Sequence, residues 1–358
     1  MNDMSPEQRA MRGHPAVVID LVNDLPSTEP LAAGIYPDIP EARYHADDLG
    51  DRPSLSNSLA KQLLRSPLHA WTAHPKLNPD WEPTEKKTFD IGRAAHRAVL
   101  GKGGDYVAIP ENILASNGAA STKEAKAFIA EARENGQTPL KVDEVVMVEA
   151  MADHLHRRLA QMGITLDPAR SEYTALAEIE GALCRCRVDN APDEMVMIPG
   201  VGPRKVMIDF KTIEDAGPDA CRKAVESYGY DFQSEHYRQT WKAACGEDRA
   251  MIFVFQEKSA PFEVGCVYLL NEPGHSADYG EDSAQKVAAA RALWNECLTT
   301  HVWPGYPNGI IVLGARSFHR QAWQDKAAIL TQTSKPTREA IEAWHRAQAP
   351  ANHRIAGE

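Results

Sequence analysis

From Val206 to Thr212 apolar and polar residues alternate with period two. The pattern predicts a strand that sends Val206, Ile208 and Phe210 into a core and turns Asp209 and Lys211 to an opposite, solvent-facing side. Upstream, Glu172 to Glu178 and Ala182 to Asp189 read as a hairpin turning at Glu180 and Gly181. Together with the Val206 strand they predict three antiparallel neighbours of one sheet, which brings Asp189 close to Asp209. Asn190 to Arg204, with Pro192, Pro199, Gly200, Gly202 and Pro203, reads as a loop. Met251 to Gln256 and Phe262 to Leu270 predict two further strands joined by a polar turn.

Helical spacing fills much of the rest. Ser56 can cap a helix through Leu64 with Leu59, Leu63 and Leu64 as its apolar stripe, ended by Ser66 and Pro67. A polar loop follows to about Lys87. The next helix runs from Thr88 to Leu100 and stops at Gly101, with Gly92 and His96 on one face so that the small residue leaves room beside the imidazole. Ser121 to Gly136 predicts a helix burying Ala127 and Phe128, and Val142 to Gly163 one burying Val145, Val148, Met151, Leu155 and Leu159, with His154 and His156 solvated. Asn117 and Gly118 read as a flexible loop over any site near His96. After a short helix from Ala220 to Val225, Tyr228 to Trp241 puts Gln233, Tyr237 and Trp241 on one face. A core stripe would use Leu or Val there, whereas aromatic and amide groups suit contacts to phosphate and sugar. Ser283 to Leu298 predicts a long helix turning Val287, Ala290, Leu293, Trp294 and Cys297 inward.

The ends look different. Met1 to about Asp51 is rich in Pro, Asp and Glu, with one apolar run, Ala16 to Leu21, as an isolated strand, and reads as an extended arm around the outside of the core. Beyond Trp303-Pro304-Gly305-Tyr306 the chain is polar, with a weak helix from Arg338 to Ala347 and a disordered last ten residues. The expected division is an arm over 1–50, a folded domain over 51–315 and a polar tail over 316–358.

Composition narrows the class. With 358 residues, 43% hydrophobic and 25% charged, the chain reads as a soluble globular protein. It has no apolar run of membrane-spanning length and no signal-peptide order at its start, so the expectation is a cytoplasmic protein without membrane contact. Six dispersed cysteines, Cys184 and Cys186 among them, read as buried thiols, with neither zinc nor an iron-sulfur cluster. A net charge of -11 argues against a general nucleic-acid coat, but not against an enzyme that grips phosphate through bound cations and a local basic groove. P-loop, Gly-x-Gly-x-x-Gly and H-E-x-x-H patterns are absent.

Asp189 and Asp209 offer the oxygen ligands a hard divalent cation needs, and Lys211 two residues on can orient or deprotonate a water beside a scissile phosphate. A solvated ion pair on a strand face gives the same local pattern, and a lone helical histidine such as His96 is usually structural. The wider company of residues decides for chemistry. The ordered set Gly34-Ile35-Tyr36, Tyr44-His45, Leu55-Ser56-Asn57-Ser58, Ser66-Pro67, Gly92-Arg93-Ala94-Ala95-His96, Cys184 to Asp189, Ile208-Asp209-Phe210-Lys211-Thr212, Tyr228-Gly229-Tyr230, Gln233 to Tyr237 and Trp303 to Tyr306 resembles the exodeoxyribonuclease VIII-like branch of the PD-(D/E)XK nucleases of phages and prophages.

That resemblance implies an α/β fold with a central mixed β-sheet flanked by α-helices. It implies metal ligands at His96, Asp189 and Asp209, Lys211 acting on water or phosphate, Gln233 and Tyr237 as a Q-x-x-x-Y element, and Glu172 as a further acidic position with Glu178 and Glu180 nearby. The cofactor would be Mg2+, with Mn2+ substituting, and the substrate the ends of double-stranded DNA, degraded 5′ to 3′. A phage single-strand annealing protein as partner belongs to the same reading, and a ring-shaped homo-oligomer enclosing the duplex is the natural way for an acidic protein to hold DNA. Two departures stand out: the stretch between Asp189 and Asp209 is long for the family, and the arm before Gly34 has no counterpart. Two other readings stay open, a metal-dependent endonuclease on the same fold and a non-catalytic DNA-binding or scaffold protein. The acidic charge favours the last, and the intact Asp/Asp/Lys set disfavours it.

Overall fold

Period-two segments supply the strands and period-3.6 segments the helices that cover them. The computed structural model describes residues 30–37, 39–82, 90–270, 279–332, 338, 339 and 342. It opens with β1 (Gly34–Tyr36), α1 (Glu41–His45), β2 (Leu55–Ser56), α2 (Asn57–Arg65), α3 (Pro67–Ala73) and α4 (Asp90–Leu100). A small parallel pair, β3 (Tyr106–Ala108) and β4 (Thr138–Leu140), encloses α5 (Lys123–Glu134), and α6 (Val142–Gln161) follows. Then come β5 (Ser171–Ile179), β6 (Ala182–Asn190), β7 (Met195–Ile198), β8 (Gly202–Ile213), α7 (Pro218–Tyr228), α8 (Tyr230–Cys245), β9 (Ala250–Glu257), β10 (Val264–Tyr268) and α9 (Gly280–Thr300). These belong to one unit, Met1–Pro307; a second, Asn308–Glu358, contains α10 (Ser317–Gln332).

The main sheet has the order β1-β5-β6-β8-β9-β10, with β2 beside β6 and β7 beside β8. Most pairs are antiparallel, but β2 runs parallel to β6, and β8 and β9 are parallel, joined by a crossover through α7 and α8. The fold is therefore α/β with a mixed sheet, as expected. Val206, Ile208 and Phe210 pack on one face with Val99 and Leu100 of α4 and Met151, Leu155 and Leu159 of α6. Met207 packs on the other with Cys186, Val188, Val225, Tyr237 and Trp241. Both faces are covered, so the Asp209 side of β8 is not solvent-facing.

Local signals mark several boundaries. The Ser56 hydroxyl caps α2 by accepting from the Leu59 N–H, and Gly101, in the left-handed region at φ +69, follows α4. All six cysteines are free thiols, and Cys184, Cys186, Cys221 and Cys297 are buried as expected, whereas Cys245 is exposed and Cys266 half-buried.

Other expectations give way. The stretch from Asn190 to Arg204 contains β7, paired with the start of β8 from Met195 opposite Lys205 to Ile198 opposite Gly202. Its prolines fall at the strand ends, and Val196 and Ile198 turn inward while Met195 and Met197 stay exposed. The length between Asp189 and Asp209 is thus a hairpin excursion that returns the chain to its starting point. Pro67 opens α3 as its first residue instead of leading into a loop. Leu64 is exposed, one position off the Leu59–Leu63 stripe, and α5 buries Ala125 and Ala132 while Ala127 is exposed and Phe128 half-buried. Residues 30–50 do not merely wrap the outside, since β1 pairs with β5 and Tyr44 and Leu49 are buried. The Ala16 to Leu21 run, residues Thr88 and Phe89, the last ten residues and most of Arg338 to Ala347 lie outside the described residues. Among the described residues no helix is long and apolar enough to cross a membrane.

Candidate active site

Three carboxylates line up across three adjacent strands. The β5–β6 ladder pairs Ser171 with Asn190 and Tyr173 with Val188, passing over Glu172 and Asp189 between them. The β6–β8 ladder has one registered pair, Asn190 with Ile208, and the next positions along are Asp189 and Asp209. Regular pairing is broken at this row and resumes beyond it between β5 and β6, from Tyr173 opposite Val188 to Ile179 opposite Ala182. Glu172 takes a left-handed φ of +61, and the Asp189 Oδ2 accepts the Phe210 N–H at 2.7 Å in place of a backbone carbonyl. A non-glycine residue in that backbone region costs about 1 kcal/mol or more, and such residues concentrate at functional sites.

α4 delivers His96 to the row. Its Nδ1 lies 3.3 Å from Glu172 Oε1 and its Nε2 3.0 Å from Asp189 Oδ2. One ligand atom each from His96, Glu172 and Asp189 fall within 4.8 Å of one another. Burial opposes a charge on the imidazole, but Asp189 and then Glu172 outweigh it and push the pKa up to about 9. Gly92 is not needed for this approach, because an added Cβ there would meet Thr212 Oγ1 at an ordinary 3.6 Å.

Asp209 is next in the row and only 2% exposed, because α8 lies over it. Its Oδ2 is 2.5 Å from Lys211 Nζ, and its Oδ1 accepts from Gln233 Nε2 at 2.6 Å. Both oxygens of Asp209 are therefore engaged outside the His96–Glu172–Asp189 group, although the carboxylate adjoins it. Tyr237 and Trp241, one and two turns beyond Gln233, are buried among apolar neighbours, so this stripe is largely core. Burial, then Tyr44 and Asp209, raise the Tyr237 hydroxyl well above its ordinary pKa.

The donor set fits a divalent cation. Burial first and Asp189 second raise the Glu172 carboxyl, and at Asp209 burial and Asp189 outweigh the opposing Lys211. At Asp189 itself burial is overcome by His96 and Lys211, and its carboxyl titrates below the ordinary range. Two carboxyls of the row thus resist ionisation through burial and the neighbouring Asp189 charge, beside an imidazole, a mixture of oxygen and nitrogen donors that suits Mg2+ or Mn2+.

Three neighbours receive no role from the sequence, although Arg187 and Tyr230 lie within segments that carry the resemblance. Arg187 forms a short ion pair through Nε with Glu172 and donates from Nη2 to the Ile39 carbonyl at 3.1 Å. Its place two residues before Asp189, on the same side of the strand, was the available signal. Lys61 on α2 has no spacing that singles it out, and Tyr230 at the start of α8 belongs to the Tyr228-Gly229-Tyr230 segment without a role attached to it. Lys61 Nζ donates to the Tyr228 carbonyl at 2.8 Å, and burial followed by Lys211 pulls its pKa down to about 8.

A family model described as a PDDEXK-like domain of unknown function (DUF3799) matches residues 56–312. The chain belongs to that family. This PDDEXK-like domain resembles a Eubacterium rectale structure provisionally described as an exonuclease, at 12% identity over 79% of this chain and 98% of that one, with a TM-score of 0.48. A structure of a phage-related exonuclease from Haemophilus somnus 129PT matches at 14% identity over 61% of this chain and 96% of that one, with a TM-score of 0.25. No curated protein matches the chain. The PDDEXK-like assignment accords with the mixed sheet and its flanking helices.

Proposed function

We propose that the protein is a Mg2+-dependent deoxyribonuclease that hydrolyses linear duplex DNA from its ends, 5′ to 3′, in the manner of the exodeoxyribonuclease VIII-like nucleases. The observation that carries the reading is the interrupted row Glu172–Asp189–Asp209, with His96 at one end and Lys211 at the other. His96, Glu172 and Asp189 would hold the cation, with Asp209 adjoining. A divalent ion bound there supplies Lewis-acid stabilisation for charge building on the phosphate and acidifies a water.

The chain's own groups do the positioning. Gln233 fixes one oxygen of Asp209, so the other is free to anchor the Lys211 ammonium. From that anchor Lys211 donates to the attacking water or to a phosphate oxygen, aimed where charge develops. Arg187 likewise holds one oxygen of Glu172 and leaves the other turned to His96. The exposed single strands would pass to an annealing protein, and a ring-shaped homo-oligomer would let an acidic chain retain DNA by enclosing it.

Digestion of linear against covalently closed duplex, with Mg2+, Mn2+ or EDTA, tests the proposal. Linear DNA should be degraded, closed circles spared and EDTA should stop the reaction. Equal cutting of circles moves the assignment to an endonuclease, and no cleavage with either metal leaves a DNA-binding protein.

A further inference from the structure

Lys61 reaches the site from α2 across the junction of α7 and α8. Gly229, at φ +62, makes that junction a tight left-handed turn, and its missing side chain leaves the Lys61 stem passing 3.5 Å from the position a Cβ would take. Tyr228 contributes its carbonyl to the ammonium at 2.8 Å. Tyr230 contributes its ring, which lies 5.5 Å below Lys61 Nζ and 5.4 Å below Lys211 Nζ. Two ammonium groups thus lie against one aromatic ring, yet they are neutralised differently. Lys211 has Asp209, whereas among the described residues no carboxylate forms an ion pair with Lys61.

An ammonium carries three donors, and Tyr228 occupies one. Lys61 is half-buried beside the Lys211–Asp209 pair, so on a protein of net charge -11 a phosphate reaching this place would meet two ammonium groups side by side. Carbonyl and ring hold the group in place without cancelling its charge. We propose that Lys61 is a DNA-binding residue of this site, its ammonium taking a non-bridging oxygen of the phosphate next to the one that Lys211 faces. The inference rests on the nuclease reading and adds to it a second phosphate contact.

Lys61→Met preserves the stem over Gly229 and removes the charge, while Lys61→Arg preserves the charge. The full-length wild type and both variants would be compared by anisotropy of a fluorescent linear duplex in EDTA at several salt concentrations, by steady-state cleavage in Mg2+ and by thermal melting. Loss of one charge-assisted phosphate contact should weaken binding by Lys61→Met about tenfold and reduce the slope of log K against log salt by about one. KM should rise by a similar factor with kcat within about threefold, and Lys61→Arg should recover most of the loss. Wild-type affinity and salt slope in Lys61→Met overturn the inference, as does an equal defect in both variants or a lost kcat at unchanged KM. If the wild type cleaves, only the role of Lys61 is at stake in these results; if the wild type neither binds nor cleaves duplex, the nuclease reading falls and takes this one with it.

Discussion

Asp209→Ala separates a catalytic carboxylate from a merely surface one, because the side chain is buried under α8 and engaged at both oxygens. Truncation leaves the Lys211 ammonium without its nearest counter-charge and the Gln233 amide without its acceptor. Breaking a buried pair from one side costs about 3–5 kcal/mol, and an orphaned buried donor about 1–3 kcal/mol. Two effects oppose this. Asp209 repels Asp189, and its own desolvated charge disappears; Asp189, also close to Lys211, takes over part of the pairing. The net expectation is a loss of about 2–4 kcal/mol for Asp209→Ala and less than about 2 kcal/mol for Asp209→Asn, which keeps an acceptor for Gln233. Cleavage should fall at least about 100-fold in both. Urea denaturation in EDTA gives the stabilities, and release of label from linear duplex gives the activities. An Asp209→Ala protein as stable as wild type would refute the pairing, and metal-dependent cleavage near wild-type rate in either variant would refute the site.

His96→Ala should raise the Mg2+ concentration needed for half-maximal cleavage by about 10-fold or more, as expected when a metal site loses a donor; an unchanged titration makes His96 structural. Stability in EDTA should peak near neutral pH. His236 is held down to about 4 by burial, then by Arg291 and Arg185, so the unfolded chain takes up its proton first and stability is lost as pH falls from about 6.5 toward 4. By pH 5 that amounts to about 2 kcal/mol, and a flat urea midpoint between pH 7 and 5 would contradict it. His96 acts in the opposite sense: its raised pKa gives stability that is complete below about 6.5 and lost as pH climbs to about 9, a limb that His96→Ala should remove.

Much of this architecture is legible in local pattern, and the failures share a cause. The alternation through Val206 to Thr212, the hairpin turning at Gly181 and the Ser56 cap are short-range features, and the structure has them where the pattern places them. Antiparallel pairing of those strands also sets Asp189 beside Asp209. Periodicity does not say which face another element will cover. Asp209 therefore reads as exposed although α8 buries it, and Tyr237 and Trp241 read as ligand contacts although they fill space above Cys186 and Val188. β7 is masked by prolines that sit at its edges. The left-handed Glu172, which turns its carboxylate toward His96, is a tertiary outcome with no local signal. Lys61 belongs with these, since its meaning comes from a junction more than a hundred residues away.

Where this chain can be cut follows from a buried charge upstream of the family match. Arg185 ion-pairs with Asp47 and donates to the Ser54 hydroxyl at 2.6 Å and carbonyl at 3.1 Å. His74, which accepts the Lys76 N–H at Nδ1, presents Nε2 to Asp47 at 3.1 Å. Tyr44 lies under both Arg185 and Arg187, and Ile39 supplies the carbonyl that Arg187 uses while it holds Glu172. A fragment begun at residue 56, where the family match starts, would amputate Asp47, Ser54, Tyr44 and Ile39 together. Arg185 would be left as an uncompensated cation in the interior, and Arg187 would lose the carbonyl and the ring that hold it. The segment recognised by similarity is thus shorter than the segment that is electrically closed, and the autonomous piece of this protein begins ahead of its family resemblance.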